Sequence, residues 1–142
     1  SSAASDVYKR QADYSKKIKI LIAEDNEINQ KVLRAILDKS PFAYEIVADG
    51  LAATIFNSQN SYDLILMDCQ MPNKDGFEAT REIRHFETQN NKKRCPIVAI
   101  TANTMHGDKD KCLAAGMDDF LSKPFKSHQI LDIINKWIEK AS

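Results

Sequence analysis

DLILMD, residues 63–68, is the segment that decides the fold. Its four consecutive apolar residues, Leu64 to Met67, are typical of a strand that is buried on both faces, as in a parallel sheet covered by helices. The run ends on Asp68, although a buried carboxylate is costly unless it is paired or binds a metal. This aspartate is therefore a candidate functional group.

Four other apolar runs flank this segment and also predict strands. They are IKILIA (18–23), YEIVA (44–48), PIVAIT (96–101) and DDFLS (118–122). Amphipathic, helix-like patterns separate the strands and close the chain. The first of these has an apolar stripe made of Ile28, Val32, Leu33, Ile36 and Leu37. The alternation predicts an α/β doubly wound parallel sheet with right-handed crossovers.

Domain organisation follows from composition. Residues 1–16 are polar and rich in Ser and Ala, so we interpret them as a linker or flexible arm. Residues 17–142 are enough for one domain. The last predicted connection has a helix from about Met105 to Ala115, with Gly116 suited to the left-handed position after its end.

Charge and cysteine content limit the classes of function. Lys+Arg and Asp+Glu both count 20, so no global charge favours nucleic acid or an anionic membrane, and we expect direct contact with neither. Three cysteines without a CxxC motif indicate a reducing compartment. We therefore expect a cytoplasmic location, with membrane anchoring of a parent protein left open. A monomer is favoured, and dimerisation is left open.

Polar residues follow the strands where each one ends. They are Glu24 and Asp25 after the first strand, Asp68 at the end of the third, Thr101 at the end of the fourth and Lys123 after the fifth. Ligands of such sheets bind at the carboxyl ends of the strands. If these ends converge, the site holds three carboxylates, one hydroxyl and one ammonium group.

The charge of this set indicates its chemistry. Three carboxylates and one lysine sum to −2, which a divalent cation would neutralise. Mg²⁺ suits carboxylates and phosphate oxygens, and an aspartate can form an acyl phosphate. The residues therefore predict a Mg²⁺-dependent phosphoryl acceptor, with Asp68 accepting. Taken singly, each residue also fits a helix cap, a turn, a strand position or a solvated charge.

Four longer motifs resemble the receiver (response regulator) domain of two-component phosphorelays. They are LIAEDNEINQKVL (21–33), DLILMDCQMPNKDGFEATREIR (63–84), PIVAITANT (96–104) and KCLAAGMDDFLSKPF (111–125). The resemblance extends from about Ile18 to Glu139 and is strongest to receivers of hybrid sensor histidine kinases. It implies a flavodoxin-like (βα)5 fold with strand order 2-1-3-4-5.

The resemblance also implies roles around the acceptor. Asp68 would take a phosphoryl group from a phosphohistidine on a histidine kinase or a histidine phosphotransfer domain. Asp25 and Asp68 would bind Mg²⁺ directly, together with the backbone carbonyl of Gln70, and Glu24 would act through a water molecule. Lys123 would pair with Asp68 at rest, next to a cis peptide bond to Pro124.

Other roles implied by the resemblance concern switching, lifetime and docking. Thr101 and Phe120 would be the switch residues that move on phosphorylation. Gln70 and Asn103 occupy positions that tune the lifetime of the phosphate, and their polarity suggests that they orient a hydrolytic water. The surface expected to dock the donor consists of Asn26, Ile28, Asn29, Pro124 and Phe125.

Several alternatives stay open at this point. One alternative to a domain of a hybrid kinase is a stand-alone single-domain response regulator that acts as a phosphorelay intermediate. An aspartate-nucleophile phosphatase would usually carry a second Asp where Gln70 stands. A flavin-binding module would need a phosphate-cradling loop where Glu24 and Asp25 stand. A receiver is not an enzyme with a separate substrate, but it catalyses its own phosphorylation and dephosphorylation.

Overall fold

A computed structural model describes residues 17–102 and 106–141, with only the backbone described at residues 106 and 107. The predicted arm at 1–16 lies outside the described residues. The sheet has five parallel strands in the order β2-β1-β3-β4-β5. Their bounds are β1 Lys19–Ala23, β2 Ala43–Val47, β3 Leu64–Asp68, β4 Ile97–Thr101 and β5 Asp119–Ser122. The predicted fold and strand order are confirmed.

Five helices alternate with these strands: α1 Glu27–Asp38, α2 Gly50–Gln59, α3 Gly76–Gln89, α4 His106–Ala115 and α5 Ser127–Ala141. The first three begin at a side chain that caps the helix. Asn26, Asp49 and Asp75 each accept a hydrogen bond from the backbone N–H three residues on. Gly116 has a φ of +104° directly after α4, as predicted. Met105 lies outside the described residues.

The core consists of two apolar layers, one on each face of the sheet. On one face, Ile20, Ile22 and Leu66 pack with residues of α1 and α5, and on the other, Leu21 and Met67 pack with residues of α2, α3 and α4. Every residue of β3 and β4 is buried, because both faces of these central strands are covered. The carboxyl ends of the strands therefore form one edge of the sheet.

The predicted apolar stripe of α1 is buried only in part. Leu33, Ile36 and Leu37 are core residues, whereas Ile28 is 72% exposed and Val32 is 41% exposed. Ile28, which was expected on the docking surface, and Val32 lie on the first turns of the helix, so the stripe is buried only from Leu33 onward. In the described part of the chain, no helix combines the length and apolarity needed to cross a membrane.

Arg84 of α3 joins the helix to the opposite edge of the sheet. Its guanidinium donates to the carbonyls of Cys95 and Gly116 at 2.8 and 2.9 Å, and to the carboxylates of Glu87 and Asp118 at 2.8 and 2.7 Å. Only 13% of the Arg84 side chain is exposed, so these bonds are shielded from water. They fix α3, and hence the loop before it, against the rest of the sheet.

We expect Arg84→Ala to lower the free energy of unfolding by about 3 kcal/mol, because Glu87 Oε1 and the Cys95 carbonyl lose the shielded guanidinium and Asp118 keeps only Arg94 as a cationic partner. Urea denaturation measures this loss. Arg81→Ala is the matched control, since Arg81 is an exposed arginine of the same helix and its replacement costs about 0.5 kcal/mol or less. Equal losses for the two variants would contradict the assigned role.

Candidate functional site

Three predicted acidic residues meet at the carboxyl edge of the sheet. Asp68 is the last residue of β3, and Glu24 and Asp25 directly follow the neighbouring strand β1. Each contributes an oxygen, and these oxygens lie within 4.8 Å of one another. Glu24 and Asp68 are buried, whereas Asp25 is exposed. The cluster is therefore open to solvent on one side and closed on the other.

The first turn of α1 holds Glu24 in place. Its Oε1 accepts hydrogen bonds from the Asn26 N–H and from Asn29 Nδ2, both at 3.2 Å, and its carbonyl accepts one from Gln30 Nε2 at 2.6 Å. Oε2 accepts no hydrogen bond from the described residues, and the Lys123 ammonium group lies 3.3 Å from it as an ion-pair partner. Since buried carboxylate oxygens normally accept hydrogen bonds, this oxygen could also accept one from a water molecule.

Lys123 is the basic residue of the site. Its Nζ lies 3.0 Å from Asp68 Oδ2 and 3.3 Å from Glu24 Oε2. The peptide bond to Pro124 is cis, as expected, and the Lys123 N–H donates to the carbonyl of Thr101 at 2.8 Å. One ammonium group is thus shared by two buried carboxylates.

The electrostatics show a shortage of positive charge. Burial, and then the charge of Glu24, raise the pKa of the Asp68 carboxyl from 3.8 to about 6, although Lys123 lowers it. Burial works against the charge of Lys123, but the hydrogen bond and charge of Asp68 outweigh it and raise the pKa of the ammonium group. A divalent cation between the carboxylates would supply the missing charge, and the residues present fit such an ion.

The two predicted switch residues contact α4. Thr101 is buried, and its hydroxyl donates to Asp108 Oδ2 at 3.5 Å. The ring of Phe120 is half-buried, and Lys109 Nζ lies 4.6 Å from its centroid. Asp108 and Lys109 were missed by sequence reasoning, because nothing in a helical segment shows which side chains reach a neighbouring strand.

The predicted lifetime and docking residues that the structure describes lie around this edge. Gln70 is exposed, and its N–H donates to Asp68 Oδ1 at 3.2 Å, whereas Asn103 lies outside the described residues. Among the docking residues, Asn26, Ile28 and Pro124 are exposed, and Asn29 is half-buried. Phe125 was expected to be exposed, but it is half-buried because its ring packs against the core.

Comparison with known proteins places these residues in context. Residues 20–135 match the response regulator receiver domain family. Hybrid signal transduction histidine kinase B of Dictyostelium discoideum is 46% identical over 129 residues, which cover 84% of this chain and 7% of that protein. Sensor protein GacS of Pseudomonas syringae pv. syringae is 38% identical over 119 residues, which cover 84% of this chain and 13% of that protein. The chain thus spans a small part of these relatives.

Solved structures that resemble this chain are also receiver domains. The receiver domain of a sensor histidine kinase from Pseudomonas aeruginosa PAO1, solved with a magnesium ion in its active site cleft, has a TM-score of 0.78 and 45% identity, covering 87% of this chain and 98% of that one. The receiver domain of the Saccharomyces cerevisiae response regulator Ssk1, solved with the histidine phosphotransfer protein Ypd1, has a TM-score of 0.82 and 38% identity, covering 85% and 88%.

The raised pKa of Asp68 predicts a pH-dependent stability. Because the folded pKa of about 6 exceeds the ordinary 3.8, Asp68 contributes stability below pH 4 that is lost as the pH rises through 6. The stability difference between Asp68→Asn and wild type should therefore shift in favour of the variant by roughly 3 kcal/mol from pH 4 to pH 7. Urea denaturation in buffer with a chelator measures it, and parallel stability curves would contradict this prediction.

Proposed function

We propose that this chain, which belongs to the response regulator receiver domain family, accepts a phosphoryl group on Asp68. It is a phosphorelay receiver of the kind found in hybrid histidine kinases. The observation that best supports Asp68 as the acceptor is its burial at the end of β3, 3.0 Å from Lys123 and beside Glu24 and Asp25. The combination provides a nucleophile, a cationic partner and a place for a metal.

Asp25, Asp68 and the backbone carbonyl of Gln70 would hold Mg²⁺, with Glu24 acting through water. Carboxylates near an exposed edge are suitable ligands, because Mg²⁺ keeps several waters when it binds to protein. The bound ion would neutralise the negative charge that gathers on the transferring phosphoryl oxygens. Glu24 Oε2 supports this assignment, because it accepts no hydrogen bond from the described residues and its ionic partner among them is Lys123, at 3.3 Å.

The transfer itself requires few changes at Asp68. A carboxylate oxygen forms a bond to phosphorus while the bond from phosphorus to the donor imidazole nitrogen breaks, and the leaving imidazole keeps the electron pair. Lys123 then pairs with a phosphoryl oxygen as well as with the acyl group. Since the donor phosphoimidazole is already reactive, positioning and charge neutralisation supply most of the rate.

Switching would follow from the contacts that Thr101 and Phe120 make at rest. To bond a phosphoryl oxygen, the hydroxyl of Thr101 turns away from Asp108, whose carboxylate would repel the new negative charge. Phe120 turns inward by leaving Lys109. Both movements change the surface of α4, where a partner would read the phosphorylated state.

The parent protein is also a proposal. The identity to receivers within hybrid kinases favours a domain of a hybrid histidine kinase over a stand-alone response regulator. The three cysteines are free thiols, which supports a cytoplasmic location. The domain would also catalyse its own dephosphorylation, with Gln70 and Asn103 orienting the water.

Incubation with phosphoramidate and Mg²⁺ should add one phosphoryl group to the wild type and none to Asp68→Asn, because only Asp68 has the required surroundings. Intact mass spectrometry measures the adduct. A chelator should prevent formation of the adduct. Asp63→Asn is the control that must still be phosphorylated, because Asp63 directly precedes β3 at the amino ends of the strands. An adduct on Asp68→Asn would disprove the proposed acceptor.

The donor would dock on the first turns of α1. Ile28 is 72% exposed and Val32, one turn on, is 41% exposed, so they form an apolar strip beside the acidic cluster. Asn26 and Pro124 are exposed around the same edge. A small strip of this kind suits a transient partner such as a histidine phosphotransfer domain. The similar Ssk1 receiver was solved in complex with a protein of that kind.

Ile28→Ala should slow phosphoryl transfer from a phosphorylated histidine phosphotransfer protein about tenfold, since an apolar anchor contributes roughly 1–2 kcal/mol at such an interface. Rapid-quench kinetics measure the rate. Phosphorylation by phosphoramidate should be unchanged, because this small donor needs no docking. Leu51→Ala, which truncates an exposed leucine of α2, is the control. Equal transfer rates for Ile28→Ala and the wild type would exclude this surface.

A further inference from the structure

The loop between β3 and α3, residues 69–75, is fastened to the start of α2. The Gly50 N–H donates to the carbonyl of Lys74 at 3.0 Å, and Asn73 Nδ2 donates to Asp49 Oδ2 at 2.8 Å. We call these two hydrogen bonds the loop clamp. The clamped loop carries Gln70, whose carbonyl belongs to the proposed metal site.

Asp49 serves both helix and loop. While Oδ2 accepts from Asn73, Oδ1 accepts from the Ala52 N–H at 2.8 Å and caps α2. The hydrogen bond from Ala52, followed by that from Asn73, lowers the pKa of the Asp49 carboxyl despite the opposing effect of burial. The carboxylate thus connects the first turn of a rigid helix to a segment without secondary structure of its own.

The backbone conformation on both sides suits this contact. A Cβ added to Gly50 would lie 2.3 Å from the carbonyl oxygen of Lys74, so only glycine allows the helix to approach the loop this closely. Asn73 has a φ of +65°, a left-handed conformation that asparagine adopts more readily than most residues. The same asparagine therefore turns the loop and supplies the clamp donor.

The base of the loop is also closed. The Gly76 N–H donates to the carbonyl of Cys69 at 3.1 Å, and a Cβ added to Gly76 would lie 2.2 Å from the carbonyl oxygen of Asp68. The loop is thus held at its base by its own backbone and at its tip by α2. Between the two lies Gln70, an exposed residue whose position depends on both attachments.

We propose that Asp49 and Asn73 are positioning residues, which hold the loop so that the Gln70 carbonyl is ready to bind the metal ion. Neither residue is a member of the acidic cluster, and each acts through the backbone of the loop. The inference rests on the proposed function, since it concerns the same metal site. Replacing a residue that orients a metal ligand without touching the metal typically weakens metal affinity 10–100-fold.

The alternative is that Asp49 only caps α2. Asp49→Asn separates the two roles, because asparagine caps a helix as well as aspartate does. Its oxygen keeps the bond from Ala52, while its amide group replaces the carboxylate oxygen that accepts from Asn73. The charge-assisted bond is then lost, and a weaker bond between neutral amides forms only if Asn73 flips its own amide. Asn73→Asp breaks the clamp by placing two carboxylates together. The double variant exchanges donor and acceptor, and restores both the hydrogen bond and the net charge.

The experiment is calorimetric titration of the purified domain with Mg²⁺ alone. We expect the Kd for Mg²⁺ to rise about tenfold in Asn73→Asp, to rise by a smaller factor in Asp49→Asn, and to return toward the wild-type value in the double variant. Asn73→Asp is the most informative, because its added negative charge would by itself tighten cation binding. Asp63→Asn is the control and should bind Mg²⁺ like the wild type, because it removes a charge at the amino ends of the strands, away from the acidic cluster.

A second readout separates positioning from loss of structure. The phosphorylation rate of both single variants with phosphoramidate should recover at saturating Mg²⁺, and their melting temperatures without Mg²⁺ should stay close to that of Asp63→Asn. Wild-type Mg²⁺ affinity in the single variants would overturn the clamp and leave the proposed function standing. Absence of Mg²⁺ binding by the wild type would overturn both.

Discussion

The constraint on which the whole structure depends is the burial of two carboxylates beside a single lysine. Asp68 and Glu24 end neighbouring strands, and Lys123 lies within 3.3 Å of both. Without another cation the arrangement is electrostatically unfavourable, as the raised pKa of Asp68 shows. The fold tolerates this because its apolar layers on both faces of the sheet are extensive. In the proposed function, the stability lost at the site would be offset when a cation and a phosphoryl group bind there.

Most of the site could be predicted because a parallel sheet brings strand ends together wherever they occur in the chain. The long apolar runs at 64–67 and 97–100 identified the central strands, and the residues after each run then had to share one edge. Residues far apart in sequence, such as Glu24 and Lys123, were correctly placed as neighbours for this reason. Neither their spacing nor their local sequence would have shown it.

The contacts that could not be predicted join side chains of separate turns and helices. Asp49 and Asn73 both have turn-forming side chains, and nothing in their sequence indicates that the two turns meet. The exposure of Val32 could not be predicted for a related reason: helical periodicity gives the direction of a side chain but not the extent of the surface opposite it. In both cases the missing information is the distance between elements, which depends on packing.

In the proposed docking mode, the first turn of α1 would connect partner binding with the chemistry of the site. Asn26 and Asn29 hold Glu24 through hydrogen bonds, while Ile28, between them, is exposed to solvent. A donor that covers Ile28 would therefore cover the open side of the acidic cluster as well. Removing water there strengthens the attraction between Lys123 and the carboxylates. It also strengthens the repulsion between the carboxylates, which a further cation would relieve. The same contact that selects the donor would thus raise the electrostatic driving force for the transfer.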